Sequence, residues 1–301
     1  MIVRGAILFH SANSEITMYR IQRKKELNPT VTLMEIEAPF VAAKAESGQF
    51  IILRVDEEGE RIPLTVAGYD RQKGTVTIVF QIVGATTALL NRKEEGDYIC
   101  DFVGPLGKKT EIDGLKRVCI VGGGVGCAIA LPIAQKLHEM GCEVTSIIGF
   151  RSKDLLILED EFRAASDRLF VMTDDGSYGE RGNVCMPLKE LLDKGERFDE
   201  VITIGPLIMM KFVVETVRPT DIPCTVSMNP IMIDGTGMCG GCRLTLHRDG
   251  ERITKFACVD GPDFNGYEID FEEAMSRGGM YREFERHAHD AACNLFQKEG
   301  K

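Results

Sequence analysis

Up to about Gly104, apolar and β-branched residues come in short alternating stretches, such as 48–55 and 74–83, separated by charged turns like Asp56-Glu57-Glu58-Gly59. Runs of strand length with turn residues between them predict a β-barrel or sandwich. From Lys116 the period changes. An apolar run at 118–121 leads into a glycine cluster, a helix-compatible stretch to about Met140 and a second apolar run at 143–148. That order reads as strand, helix, strand. Further strand candidates at 169–173 and 200–204, with helical stretches between them, predict a parallel, doubly wound α/β sheet ending near Cys224.

After Pro223 the pattern breaks again. Residues 228–258 are rich in cysteine and glycine and would bury little apolar surface alone, so they need a staple. Residues 271–296 return to helical periodicity with charges on one face. Three units are therefore expected, 1–112, 113–225 and 226–301.

Composition narrows the class. The 301 residues suffice for two or three domains, and 44% hydrophobic with 27% charged residues places the chain among globular proteins. A formal net charge of −10 without a long Lys/Arg run leaves no electrostatic footprint for nucleic acid or an anionic membrane. The most apolar stretches fall short of the roughly 20 residues that a membrane-spanning helix needs. Residues 1–5 lead into alternation rather than into a secretory signal, so the expected compartment is the cytoplasm. There, ten cysteines argue for thiols, metal ligands or redox chemistry before disulfides.

Asp234, Cys239, Cys242 and Cys258 have the spacing D-x4-C-x2-C-x15-C. A plant-type [2Fe–2S] loop runs C-x4-C-x2-C with a distant fourth cysteine, so Asp234 stands where the first thiolate would. Such spacing wraps one loop around a cluster, and four glycines within residues 234–242 let backbone N–H groups turn toward sulfur. Two other readings fit the same letters: a zinc site built from the three cysteines and Asp234, and unligated thiols in a glycine-rich turn that Asp234 caps. Structural zinc sites draw on Cys and His in paired knuckles, whereas the nearby His247 lies in an apparent strand. The other cysteines, Cys119, Cys127 and Cys142 among them, read as core thiols.

Residues 118–128 give a strand, then Gly122, Gly123, Gly124, Val125 and Gly126, then a helix. Glycine lets backbone approach a pyrophosphate at a helix N-terminus, which is what a dinucleotide site requires. Cys127 replaces the third glycine of G-x-G-x-x-G, and a plain tight turn would look similar. NAD sites usually carry an acidic residue about 20 positions on, whereas an arginine suits a 2′-phosphate. This chain has Arg151, which by that rule favours NADP.

Arg61, Pro63, Leu64 and Thr65 form an R-x-P-L-T segment, followed by Gln81, Val83, Gly84, Thr86 and Thr87 and then by Gly104-Pro105-Leu106-Gly107. Arginine, strand backbone and hydroxyl suit a flavin phosphate and ring edge; a surface arginine beside a strand is the plainer alternative. With the glycine and cysteine loops in this order, nearly the whole chain resembles the ferredoxin–NADP reductase superfamily. Within it the sequence is similar to dihydroorotate dehydrogenase electron-transfer subunits, and more so to the small (alpha) subunits of NADH-dependent ferredoxin:NADP oxidoreductase, also called sulfide dehydrogenase beta subunits. The first group has a cysteine at position 234; the second has an aspartate followed by three cysteines.

The resemblance implies an FAD-binding β-barrel domain over 1–112, an NAD(P)-binding α/β domain over 113–225, and a [2Fe–2S] subdomain with a helical tail over 226–301. It implies FAD held by Arg61, Pro63, Leu64, Thr65, Gln81, Val83, Gly84, Thr86 and Thr87. NAD(H), in preference to NADP(H), would lie over the glycine loop, with Asp174, Asp175 and Gly176 toward the nicotinamide. Asp234, Cys239, Cys242 and Cys258 would ligate the cluster, and a larger flavo-iron–sulfur subunit would complete a heterodimer. Flavin accepts a hydride and releases electrons singly, so no catalytic acid or base is expected. The rival functions are a dihydroorotate dehydrogenase electron-transfer subunit and a non-enzymatic nucleotide- and metal-binding scaffold.

Overall fold

A computed structural model describes residues 6–11 and 14–279. The first unit contains β1 (Ala6–Ser11), β2 (Ser14–Asn28), β3 (Val31–Glu37), α1 (Pro39–Ala42), β4 (Phe50–Arg54), β5 (Arg61–Asp70), β6 (Thr75–Gln81), α2 (Ala85–Asn91), β7 (Tyr98–Ile99) and β8 (Asp101–Leu106). The strands form one antiparallel sheet in the order β1-β2-β3-β6-β5-β4-β8, with β7 on β2. Register shifts between Val66 and Gly68 and between Phe50 and Ile52 act as bulges, and bulges bend strands, which curls the sheet into a half-barrel. Alternation sends Met34, Ile36, Val76, Ile78 and Phe80 to the concave side, where they enclose a core with Ile51, Leu53 and Phe102.

The second unit contains β9 (Arg117–Gly123), α3 (Gly126–Glu139), β10 (Glu143–Phe150), α4 (Glu159–Ala164), β11 (Arg168–Thr173), β12 (Glu180–Arg181), α5 (Cys185–Asp193), β13 (Glu200–Ile204), α6 (Leu207–Val217) and β14 (Cys224–Ser227). Beyond it come β15 (Arg243–Arg248), β16 (Glu251–Phe256), α7 (Ala257–Asp260), β17 (Asp263–Asn265) and α8 (Phe271–Gly279). The second sheet runs β12-β11-β10-β9-β13-β14-β17, parallel except for β17, which returns antiparallel to β14. β15 and β16 form a separate hairpin.

Both faces of this sheet are covered, which is why its central strands read as continuous apolar runs. On β9, Val118 and Ile120 pack with Ala130 and Ile133 of α3, while Cys119 and Val121 face Leu188 of α5 and Met210 and Val213 of α6. Each of the Val, Leu, Ile and Met side chains among them contributes roughly 1.5–3 kcal/mol by leaving water. Cys119, Cys127 and Cys142 are buried at 0%, 0% and 5% exposure, as core thiols should be. The winding reverses between β9 and β13, and the crevice at that point of an open α/β sheet is where ligands bind. Among the described residues no helix is long and apolar enough to cross a membrane. The tail helix expected over 271–296 is seen as α8 in its first part; residues from 280 on lie outside the described ones.

Candidate functional site

A cavity of about 870 Å³ opens at the switch point and runs between the two sheets. Its barrel wall includes Pro63, Thr65 and Gln81; its α/β wall includes Gly123, Gly124, Val125, Gly126, Arg151 and Asp174. Arg61, Leu64, Val83, Gly84, Thr86, Thr87, Gly122, Asp175 and Gly176 stand outside that lining.

The glycine loop is shaped by close approach. A Cβ on Gly126 would stand 2.5 Å from the Ile204 carbonyl oxygen and 2.8 Å from Gly205 Cα, so the start of α3 presses against the end of β13. On Gly122 it would meet Cys127 Sγ at 3.0 Å; the thiol that replaces the motif's third glycine fills the space over the strand.

At the far end, Arg151 follows β10 and Asp174 follows β11, which pair in parallel so that Phe150 lies beside Thr173. The Asp174 N–H donates to the Phe150 carbonyl at 3.0 Å. The Asp175 carboxylate accepts from the Ser177 N–H and hydroxyl at 2.9 and 2.6 Å, which holds it below the usual carboxylate range. Asp174 and Arg151 instead have no side-chain hydrogen bond or ion pair among the described residues, and both face the cavity.

The flavin-type segment is assembled from three places. Arg61 opens β5 and lies 3.8 Å from Asp101, which also takes Arg54 at 2.6 Å. Beside it, the Thr86 hydroxyl donates to Glu60 at 2.9 Å, tying α2 to the start of β5. The Thr87 hydroxyl accepts the Val83 and Gly84 N–H groups at 3.0 and 3.1 Å, which rounds the chain into α2.

In the cysteine loop, Asp234 accepts the Thr236 N–H at 2.9 Å and the Cys239 N–H at 2.8 Å, and these bonds hold its carboxyl below the ordinary range. Cys242 and the α7 thiol Cys258 are buried and lie 3.1 Å apart. Burial, and then Cys242, pushes Cys258 up to about 12. Cys239 is exposed, and among the described residues no three of His, Cys, Asp and Glu close around one metal position. The donor chemistry nevertheless fits an iron–sulfur cluster better than a hard cation, because one loop carries Asp234, Cys239 and Cys242, and α7 brings a third thiol, Cys258, into contact with Cys242. Gly235, at φ +74°, carries this loop onto the barrel: a Cβ there would strike Leu106 Cδ1 at 2.6 Å and Ile52 Cγ1 at 3.1 Å.

Several wall residues carry no motif of their own. Phe50 of β4, Asn183 before α5, Met209 of α6 and Met228-Asn229-Pro230 after β14 all line the cavity. Gly205-Pro206, directly after the strand at 200–204, is a turn signal, unread in the sequence, that could have pointed to the α6 side of the wall.

Residues 229–270 match a family model described as the iron–sulfur cluster binding domain of dihydroorotate dehydrogenase B. The chain is 46% identical over 270 residues to a dihydroorotate dehydrogenase B (NAD+) electron-transfer subunit homolog from Thermotoga maritima, covering 90% of this chain and 94% of that protein. It is 33% identical over 251 residues to the dihydroorotate dehydrogenase B (NAD+) electron-transfer subunit of Streptococcus pneumoniae strain R6, covering 81% and 94%. Among solved structures it is similar to a chain from an NADH-dependent reduced ferredoxin–NADP oxidoreductase studied for flavin-based electron bifurcation. There the identity is 43%, the TM-score 0.84, and the match covers 93% of this chain and 99% of that one.

Proposed function

The chain belongs to the family of dihydroorotate dehydrogenase B electron-transfer subunits and their homologues, and we propose that it is an FAD- and [2Fe–2S]-dependent NAD(P)H oxidoreductase subunit. It passes electrons between NAD(H), FAD and the cluster, and on to or from a larger flavo-iron–sulfur partner in a cytoplasmic heterodimer. The observation that carries this reading is a cavity that joins Pro63, Thr65 and Gln81 of the barrel to Gly123–Gly126 at the switch point. Its division of labour follows units 1–112, 113–225 and 226–301.

When bound there, a flavin supplies the exchange between a hydride and single electrons. Arg61 and the turn from Val83 to Thr87 would hold its phosphates, and Thr65 its ring edge. The backbone of Gly123–Gly126 would take the dinucleotide pyrophosphate at the start of α3. Asp174, which the resemblance put toward the nicotinamide, leaves β11 where Arg151 leaves β10; there it would instead receive a ribose hydroxyl, in keeping with NAD(H), although Arg151 offers charge to a 2′-phosphate. Asp234, Cys239, Cys242 and Cys258 would hold the cluster.

Asp234 also bears on the partner. A carboxylate in place of the first thiolate favours the role of a ferredoxin:NADP oxidoreductase small subunit over that of a dihydroorotate dehydrogenase subunit. The test is anaerobic purification with whatever copurifies, followed by acid extraction of the flavin, a visible spectrum and titration with NADH. Released FAD, a cluster spectrum and bleaching by NADH are expected; protein prepared in this way without flavin would refute the assignment.

A further inference from the structure

Two guanidinium groups grip the cysteine loop at its central glycines. Arg243, which opens β15, donates through Nη1 to the Gly240 carbonyl at 3.3 Å, and Arg277, in the last turn of α8, donates through Nη2 to the Gly241 carbonyl at 3.2 Å. Gly240 and Gly241 are the two residues between Cys239 and Cys242. The Gly240 carbonyl and the Gly241 N–H belong to one peptide group, and that N–H donates to Cys239 Sγ at 3.4 Å. A cation at the carbonyl end polarises the N–H end, so Arg243 strengthens the hydrogen bond that the sulfur receives.

Arg277 is brought there by α8. Asp270 accepts the Glu273 N–H at 2.9 Å and meets His247 Nε2 at 3.0 Å, while Glu273 takes Arg252 at 2.8 Å. These contacts fix the helix on the β15–β16 hairpin, and its last turn then reaches the loop. Among the described residues neither Arg243 nor Arg277 has an acidic partner; the Gly240 and Gly241 carbonyls are where their charge is spent. Two cations without an acidic partner among the described residues thus hold the loop that carries Asp234, Cys239 and Cys242, groups that are anionic when they ligate.

We propose that Arg243 and Arg277 are positioning residues for electron transfer: they hold the Gly240–Gly241 peptides toward the Cys239 sulfur, and their charge raises the reduction potential of the cluster. The inference rests on cluster ligation by Asp234, Cys239, Cys242 and Cys258. Reduction adds a negative charge, nearby cations favour that form, and charge and hydrogen bonds to sulfur are what set such potentials. The two arginines offset the electron-rich carboxylate of Asp234.

The experiment is an EPR-monitored redox titration of the complete chain, prepared anaerobically, with Arg277→Gln, Arg277→Lys, Arg243→Gln and Arg243→Lys beside the wild type. Glutamine keeps a donor for the carbonyl and removes the charge; lysine keeps the charge. Arg277→Gln is expected to lower the one-electron equilibrium constant for reduction about tenfold, a downward shift of about 59 mV, at unchanged iron content. Arg243→Gln, more exposed and better screened, should shift it in the same direction by less, and each lysine should restore most of the loss. Glutamine variants that load fully and keep the wild-type potential overturn the proposal. Should a glutamine variant lose its cluster, the lysine counterpart decides: retention supports the charge, and loss there too overturns it in favour of packing alone. A wild-type chain without a [2Fe–2S] signal defeats the ligation reading itself, and the proposal with it.

Discussion

Cys242 Sγ and Cys258 Sγ lie 3.1 Å apart, one closing the glycine-rich turn and the other on α7, sixteen positions along the chain. Contact between two buried thiols at that separation fits a shared inorganic centre. Cys242→Ala and Cys258→Ala are each expected to abolish the cluster's visible absorption and iron content while leaving FAD bound, as read by iron analysis and flavin extraction. Full iron in either variant would remove that cysteine from the ligand set.

Asp234 spends both carboxylate oxygens on backbone N–H groups of its own loop, as a turn cap does and as an oriented ligand also does. Asp234→Cys is expected to keep the cluster with a shifted potential and EPR signal, and Asp234→Ala to leave it labile. A fully loaded Asp234→Ala protein with unchanged spectrum and potential would reduce the residue to its capping role.

On the proposed reading, nucleotide preference turns on Asp174 and Arg151, charges that have no side-chain partner among the described residues and face one end of the cavity. NADH should bleach the flavin at lower concentration than NADPH, because a 2′-phosphate would sit against the Asp174 carboxylate. Asp174→Ser should narrow that preference about tenfold, the effect of roughly 1.4 kcal/mol. A preference for NADPH in the unaltered chain would transfer the decisive role to Arg151.

Gly126→Ala is expected to cost about 1–3 kcal/mol, since the added methyl meets the Ile204 carbonyl and Gly205 backbone, which cannot step aside. Gly123→Ala meets the Met209 sulfur instead, the far part of a flexible side chain, and should cost less. Thermal melts and NADH titrations of the two variants check the ranking.

Burial raises the thiols of Cys119, Cys127 and Cys224 above their ordinary 9.0, Cys224 to about 12. In the unfolded chain these thiols ionise near pH 9, while in the folded chain they stay protonated. Above about pH 9 the unfolded state therefore binds fewer protons, and stability falls as pH rises toward 12. Melting temperatures under anaerobic, reducing conditions should decline over that window, and Cys224→Ala should make the decline shallower.

The sheet strands at 143–148, 169–173 and 200–204 were legible because burial on both faces leaves uninterrupted apolar runs between helices. The R-x-P-L-T segment lies within β5, which no run of alternation announced, because its residues are mostly half-buried. Strand β17 was missed for a related reason: three residues, Asp263–Asn265, carry too little pattern to announce a return to the sheet edge. The cysteine spacing around Cys239 is local and is visible in the sequence without the fold. Arg277 approaching Gly241 from thirty-six positions away is a product of helix docking, and nothing in either segment announces it.

Gly235 seats the cysteine loop in van der Waals contact with Leu106 and Ile52 of the half-barrel, and close-packed protein interiors compress little. A redox centre in this loop cannot swing between donor and acceptor as a tethered carrier does. Electrons crossing from the barrel must tunnel over a span fixed by packing, so that internal step should be indifferent to solvent viscosity, and any slowing in glycerol would report the meeting with the partner protein.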